Sequence, residues 1–127
     1  MNERRFLYVG MYEAREIPRG WQHPMDEHGL PVPLLPHGYA GDDAEFYETM
    51  PAPTAYGEIT AYETCSEGTP VSPAFPNTAE GRLALVGWCA ANEKLFGKHL
   101  VEVEAWVAIL FGDAGITPEG GVIAQDR

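Results

Sequence analysis

Ten of the eleven prolines fall between Pro18 and Pro76, and only Pro118 lies outside that interval. Proline fixes φ and removes a backbone donor, so this interval cannot be a helix bundle. It has to be built from loops, turns and short strands, with polyproline II character expected at Leu30–Pro36. Helices are confined to the chain beyond it.

The same interval carries the charge. Between Gly20 and Gly81 lie Asp26, Glu27, Asp42, Asp43, Glu45, Glu48, Glu58, Glu63, Glu67 and Glu80, and no lysine or arginine. Ten acids against no bases place −10 of the formal −11 here; the first nineteen residues sum to +1 and those from Arg82 onward to −2. A localised excess of this kind costs self-repulsion and projects a field that steers a basic partner. It also repels phosphate, so direct nucleic-acid binding is not expected.

A chain of 127 residues that is 45% hydrophobic suits one domain with a real core. The expected division is an irregular acidic region of about 18–55 and a hairpin and two-helix core of about 56–127. Nothing approaches a membrane span or a signal-peptide apolar region, so a soluble, intracellular protein is expected. Cys65 and Cys89 form no CxxC and no disulfide framework; Cys89, within an apolar helical pattern, reads as a small core residue.

Arg4–Tyr12 is a β-leaning run and predicts a strand. Within the irregular region Trp21, Leu30, Val32, Leu34, Leu35, Tyr39, Phe46 and Tyr47 are available to anchor a long segment wrapped on the core. Tyr56–Thr64 predicts a second strand, with Ile59, Ala61 and Glu63 on one face and Glu58, Thr60 and Tyr62 on the other. Ser66–Thr69 supplies turn chemistry and Val71–Phe75 the antiparallel return.

Asn77 or Thr78 then caps a helix over Ala79–Asn92; choosing Asn77 puts Glu80 at the capping-box position. Leu83, Val86 and Cys89 with Ala90 follow helical spacing, widened by Leu85 and Trp88. A second helix is expected over Val101–Phe111, with Val103, Trp106, Val107 and Leu110 on one face and Gly112 as its stop. Gly120–Ala124 predicts a short strand. The fold class is α+β: a small antiparallel sheet with a hairpin, two C-terminal helices, and a long Pro-rich acidic wrapping loop.

Several motifs resemble known sequences. Tyr62, Glu63, Thr64, Ser66, Glu67, Gly68, Thr69, Pro70, Ser72, Pro73, Phe75, Thr78 and Trp88 match a pattern of small bacteriophage proteins. In that pattern an aromatic-Glu-Thr strand leads into Ser-Glu-Gly-Ser/Thr-Pro-x-Ser-Pro-x-Phe and a Thr-capped helix containing a Trp. Glu104–Leu110, Gly115–Pro118, Gly121–Ile123, Arg15–Pro18 and Trp21–Pro24 are similar to further pieces. The resemblance covers roughly half of the chain and leaves Met25–Tyr56 unmatched. It implies phage origin and no established reaction. The CxxC pairs of other relatives are missing here, so it carries no zinc site over.

Candidate chemistry is sparse. His23, His28 and His37, with Cys65 or a carboxylate, are weak candidates for a metal site because their spacing fits no standard ligand pattern. Solvated or capping loop histidines are the simpler reading. Ser66, Ser72, Glu67 and Glu63 are explained by a turn, and no Gly-x-Ser-x-Gly accompanies them. Gly120-Gly121 is a turn signal and no phosphate loop occurs. Trp88 and Trp106 read as core; Trp21 is left open.

The leading expectation is a phage-encoded, non-enzymatic inhibitor without a cofactor. It acts in the host cytoplasm on a basic, nucleic-acid-binding surface of a host defence protein, as an anti-CRISPR-like DNA mimic. Asp42, Asp43, Glu45 and Glu48 supply attraction, with Asp26 and Glu27 joining if the loop folds back; Tyr39, Phe46 and Tyr47 supply anchors. The alternatives are a small metal-dependent enzyme using the loop histidines and a virion-accessory structural protein.

Overall fold

The computed structural model describes residues 11–54, 57–65, 68–95 and 99–112. It is an α+β fold: a small antiparallel sheet carrying two helices. The strands are β1, Tyr12–Ile17; β2, Glu58–Glu63; β3, Thr69–Pro70; and β4, Phe75–Pro76. The helices are α1, Ala79–Asn92, and α2, Val103–Phe111. β2 is central, with β1 on one edge in register Tyr12↔Glu63 to Ile17↔Glu58. β3 and β4 share its other edge, through Tyr62↔Pro70 and Ile59↔Phe75.

The strand expected over Arg4–Tyr12 meets β1 only at Tyr12, and residues 4–10 lie outside the described residues, as does the strand expected at Gly120–Ala124. β1 runs on through Glu13, Arg15 and Glu16. It tolerates Arg15 at 8% exposure because the side chain is fully engaged. Nη1 donates to Leu34 O at 2.7 Å and Nε to Glu13 Oε1 at 2.7 Å, and the guanidinium lies 4.6 Å from the Tyr62 ring centroid.

The expected hairpin forms, but its return strand is split. Between β3 and β4, Val71 N–H donates to Ala61 O, and Ala61 N–H donates to the Ser72 hydroxyl oxygen at 3.0 Å. A side-chain oxygen thus stands in for the main-chain carbonyl that would accept from Ala61 N–H in an unbroken ladder.

β2 is buried on both faces, Ile59, Thr60, Ala61 and Tyr62 alike, rather than on one. On one face Tyr12, Ile59 and Ala61 meet Leu85, Val86 and Cys89 of α1 and Ala105, Trp106 and Ile109 of α2. Trp106 is fully buried and packs edge-on against Tyr12, centroids 5.1 Å apart. On the other face Ile17 and Tyr62 meet Leu34 and Met50, flanked by Trp21 and Val32.

Both helices form where the pattern places them, with corrections. Thr78, not Asn77, is the N-cap of α1: its hydroxyl accepts from Gly81 N at 3.0 Å, while Asn77 accepts from Arg82 Nε. Glu80 therefore sits one position short of a capping box. Leu83 is exposed, and the buried stripe is Leu85, Val86 and Cys89 with Arg82. α2 begins two residues later than expected, and its buried residues are Ala105, Trp106, Ala108 and Ile109 rather than Val103, Val107 and Leu110. Ala105 and Ala108 allow close approach, so small residues beside Trp106 and Ile109 mark the contact face. Gly112, at φ 62°, ends α2 as expected. Among the described residues no helix is long and apolar enough to cross a membrane.

Candidate partner-binding site

The Leu34–Leu35 dipeptide fixes the irregular segment to the sheet. Leu34 N–H donates to Gly68 O, and Leu34 O accepts from Arg15. Leu35 N–H donates to Glu48 O, and Leu35 O accepts from Met50 N–H. Every backbone group of the pair is satisfied, which permits both side chains to be buried. Gly68 is required here: its φ is +98°, and a Cβ would strike Leu34 O and Arg15 Nη1.

The two bonds of Leu35, to Glu48 O and from Met50 N–H, make an isolated parallel bridge with Thr49, which closes a lobe of residues 36–49. Pro36 opens it with a tight turn in which Tyr39 N–H donates to Pro36 O and Gly38 takes φ +81°, the third-position geometry of a type II turn. A single 3-10 turn, Asp42–Glu45, forms its tip. The Tyr39 ring lies over Gly41, occupying the space a side chain there would fill.

This lobe brings together most of the residues singled out for binding. Asp42, Asp43, Glu45 and Glu48 are exposed, and Phe46 beside them is 73% exposed. Tyr39 and Tyr47 are exposed at 38% and 37%. None of the four acids has an ion-pair partner among the described residues. The arginines nearest the sheet are committed elsewhere, Arg15 to Glu13 and Arg82 to Glu16 at 3.6 Å.

The other acids of the interval occupy separate places. Glu58 accepts from Gly20 N–H on β2, and Glu80 sits in the first turn of α1. Asp26 and Glu27 lie on their own small hairpin, bridged at Met25↔Pro31. There the Asp26 carboxylate accepts from the N–H groups of His28 and Leu30, so it shapes its turn as much as it displays charge. Glu67 lies outside the described residues.

The histidines are not gathered. His23 uses both ring nitrogens: Nε2 bonds to Val32 O, and Nδ1 lies 2.8 Å from the Tyr62 hydroxyl. The carbonyl can only accept, so Nε2 carries the proton and Tyr62 donates to Nδ1. Burial lowers the His23 pKa, opposed by the bond to Val32 and reinforced by Arg15. Burial likewise pushes the Tyr62 phenol up to about 12, keeping it a donor. His28 is exposed beside Glu27, and His37 is exposed at the lobe's base. Among the described residues no group of three His, Cys, Asp or Glu side chains is placed to share a metal ion.

Cys89 is fully buried, and desolvation, with Glu93 nearby, pushes its thiol up to about 12, far from a reactive thiolate. Ser72 is engaged in the sheet, donating to Pro73 O. Ser66 lies outside the described residues.

Sequence reasoning passed over the Arg15–Tyr62–His23 stack and a groove of about 210 Å³ between β1 and the lobe's two stems. Glu13, Ala14 and Glu16 line one side of it, and Pro36, Met50 and Pro51 the other. Compared with protein-family models, curated proteins and solved structures, the chain matches none.

Proposed function

We propose that this chain is a phage-encoded acidic inhibitor that acts in the host cytoplasm, binding a basic, nucleic-acid-binding surface of a host defence protein in the manner of an anti-CRISPR DNA mimic. Phage origin and host target rest on the motif resemblance. The observation that carries the binding mode is the lobe of residues 36–49. Four carboxylates within Asp42–Glu48 project into solvent without an internal cation, next to an exposed Phe46. Duplex DNA presents one charge about every 1.7 Å along its axis, so a competitor needs its acids crowded on one short element. An exposed aromatic beside such a cluster supplies the apolar anchor that charge alone lacks.

The test is affinity capture from host lysate followed by a titration with the purified captured protein. A nucleic-acid-binding protein is expected, its binding competed by DNA, weakened by added salt, and abolished when Asp42, Asp43, Glu45 and Glu48 are all replaced by lysine. Binding indifferent to both salt and that charge reversal sinks the reading.

A further inference from the structure

β1 is an edge strand among the described residues, and its register shows which of its backbone groups are in use. Thr64 N–H donates to Met11 O, making these two a hydrogen-bonded pair. By antiparallel alternation, Glu13, Arg15 and Ile17 direct their N–H and C=O groups to β2, whereas Ala14 and Glu16 turn theirs outward. Ala61, opposite Ala14, confirms the phase: its own groups point to Ser72 and Val71, away from β1. The outward groups of Ala14 and Glu16 have no partner among the described residues, and both residues line the groove of about 210 Å³.

We infer that this groove takes an extended, lysine- or arginine-bearing peptide segment as an added strand on β1. Strand addition draws affinity from main-chain bonds and selectivity from pockets for alternate side chains. The opposite wall suits that role: Pro36 and Pro51 have no N–H to compete for the incoming chain, and Met50 offers an apolar floor.

Charge selects the occupant. Glu13 and Glu16 at the free edge share their charge with Arg15 and Arg82, so the excess comes from the lobe into which the far wall's stems lead, whose Asp42, Asp43, Glu45 and Glu48 are exposed. Arg15 also lines the groove, but its guanidinium is held by the Glu13 carboxylate and Leu34 O. A second copy pairing edge to edge would bring together two chains each of formal charge −11. A basic segment meets no such repulsion. The inference borrows from the proposed function only the sign of the partner's charge.

The probe is a short peptide of alternating lysine and valine, titrated into the ¹⁵N-labelled full chain. A second peptide of the same composition carries N-methyl groups on alternate residues, which keeps its charge and removes its edge donors. Amide shifts at Ala14 and Glu16 are expected, with the unmethylated peptide binding at least about tenfold tighter, the equivalent of one or two main-chain hydrogen bonds.

Ala14→Pro should reduce that affinity by a similar factor, since the Ala14 N–H has no role in the β1–β2 ladder; unchanged Leu85 and Trp106 resonances confirm the fold. Should the variant not fold, the methylated peptide decides alone. Shifts confined to 42–48, equal binding of the two peptides, or no shift at all overturn the groove as a strand acceptor. The first of these leaves the lobe's attraction standing. Shifts at Ala14 and Glu16 that survive lysine replacement of the four lobe acids support the groove and count against the lobe. Shifts that grow with protein concentration in the absence of peptide identify a second copy as occupant and overturn the choice of partner.

Discussion

The two faces of the sheet are covered by different means. On the helical face, Leu85, Val86, Cys89, Trp106 and Ile109 bury apolar surface in a repeating pattern, and adhesion there is spread over many interchangeable contacts. On the other face the cover is Leu34, Met50 and flanking Val32 and Trp21, a thinner apolar layer. It is held by specific bonds: Arg15 to Leu34 O, Leu34 N–H to Gly68 O, and Val32 O and Tyr62 to His23. A layer of the first kind loses stability in proportion to volume removed. A layer of the second kind fails at single atoms.

Four experiments can break or sharpen that contrast. Trp106→Ala should have the largest effect, about 3–5 kcal/mol from transfer and cavity terms, read as a lower denaturant midpoint for the whole chain. Arg15→Met keeps much of the side-chain volume but orphans the buried Leu34 carbonyl, a loss of about 1–3 kcal/mol. Its signature is faster amide exchange at Leu34, Leu35 and Met50 while α1 and α2 stay protected; uniform acceleration across both faces would erase the distinction.

Acidification comes third. The folded His23 pKa is lowered, so the unfolded chain binds its proton first. The stabilisation is fully present above the unfolded value of 6.5 and drains away as pH falls below it toward the folded value. Exchange protection on the His23 side should therefore drop between neutral pH and pH 5, and His23→Gln should flatten that dependence. Reversing Asp42, Asp43, Glu45 and Glu48 to lysine should matter least to folding, within about 0.5 kcal/mol, because these side chains are exposed and unpaired. A large loss of stability would show that the lobe supports the fold rather than displaying charge.

The helical face was largely legible. Period 3.6 after the last clustered proline gave α1 its full span and Gly112 its place as the stop of α2. The contact stripes were misphased because large apolar residues were weighted over alanine: Leu83 and Val103 face outward while Ala105 and Ala108 are buried. β1 beyond Tyr12 was not legible for the opposite reason, since periodicity cannot show that Arg15 finds an acceptor nineteen residues away at Leu34.

The turns of the irregular segment did carry a local signal, Pro-x-Gly-aromatic, at Pro18–Trp21 and again at Pro36–Tyr39. What no local signal carries is their closure by long-range bonds such as Leu34 to Gly68. The lobe's acids were visible as a string; that Arg15 and Arg82 would not fold back to neutralise them was decided by Glu13 and Glu16, which hold them.

The patched side of the sheet has a consequence for assembly. Pro70 and Pro76 occupy half of the two short strands opposite β1, and the Ser72 hydroxyl, not a main-chain carbonyl, fills the gap between them. Such a border cannot template another strand. Among the described residues, growth of this sheet by hydrogen bonding is therefore one-sided: two copies paired through β1 would each turn this interrupted border outward, which stops the ladder at the pair.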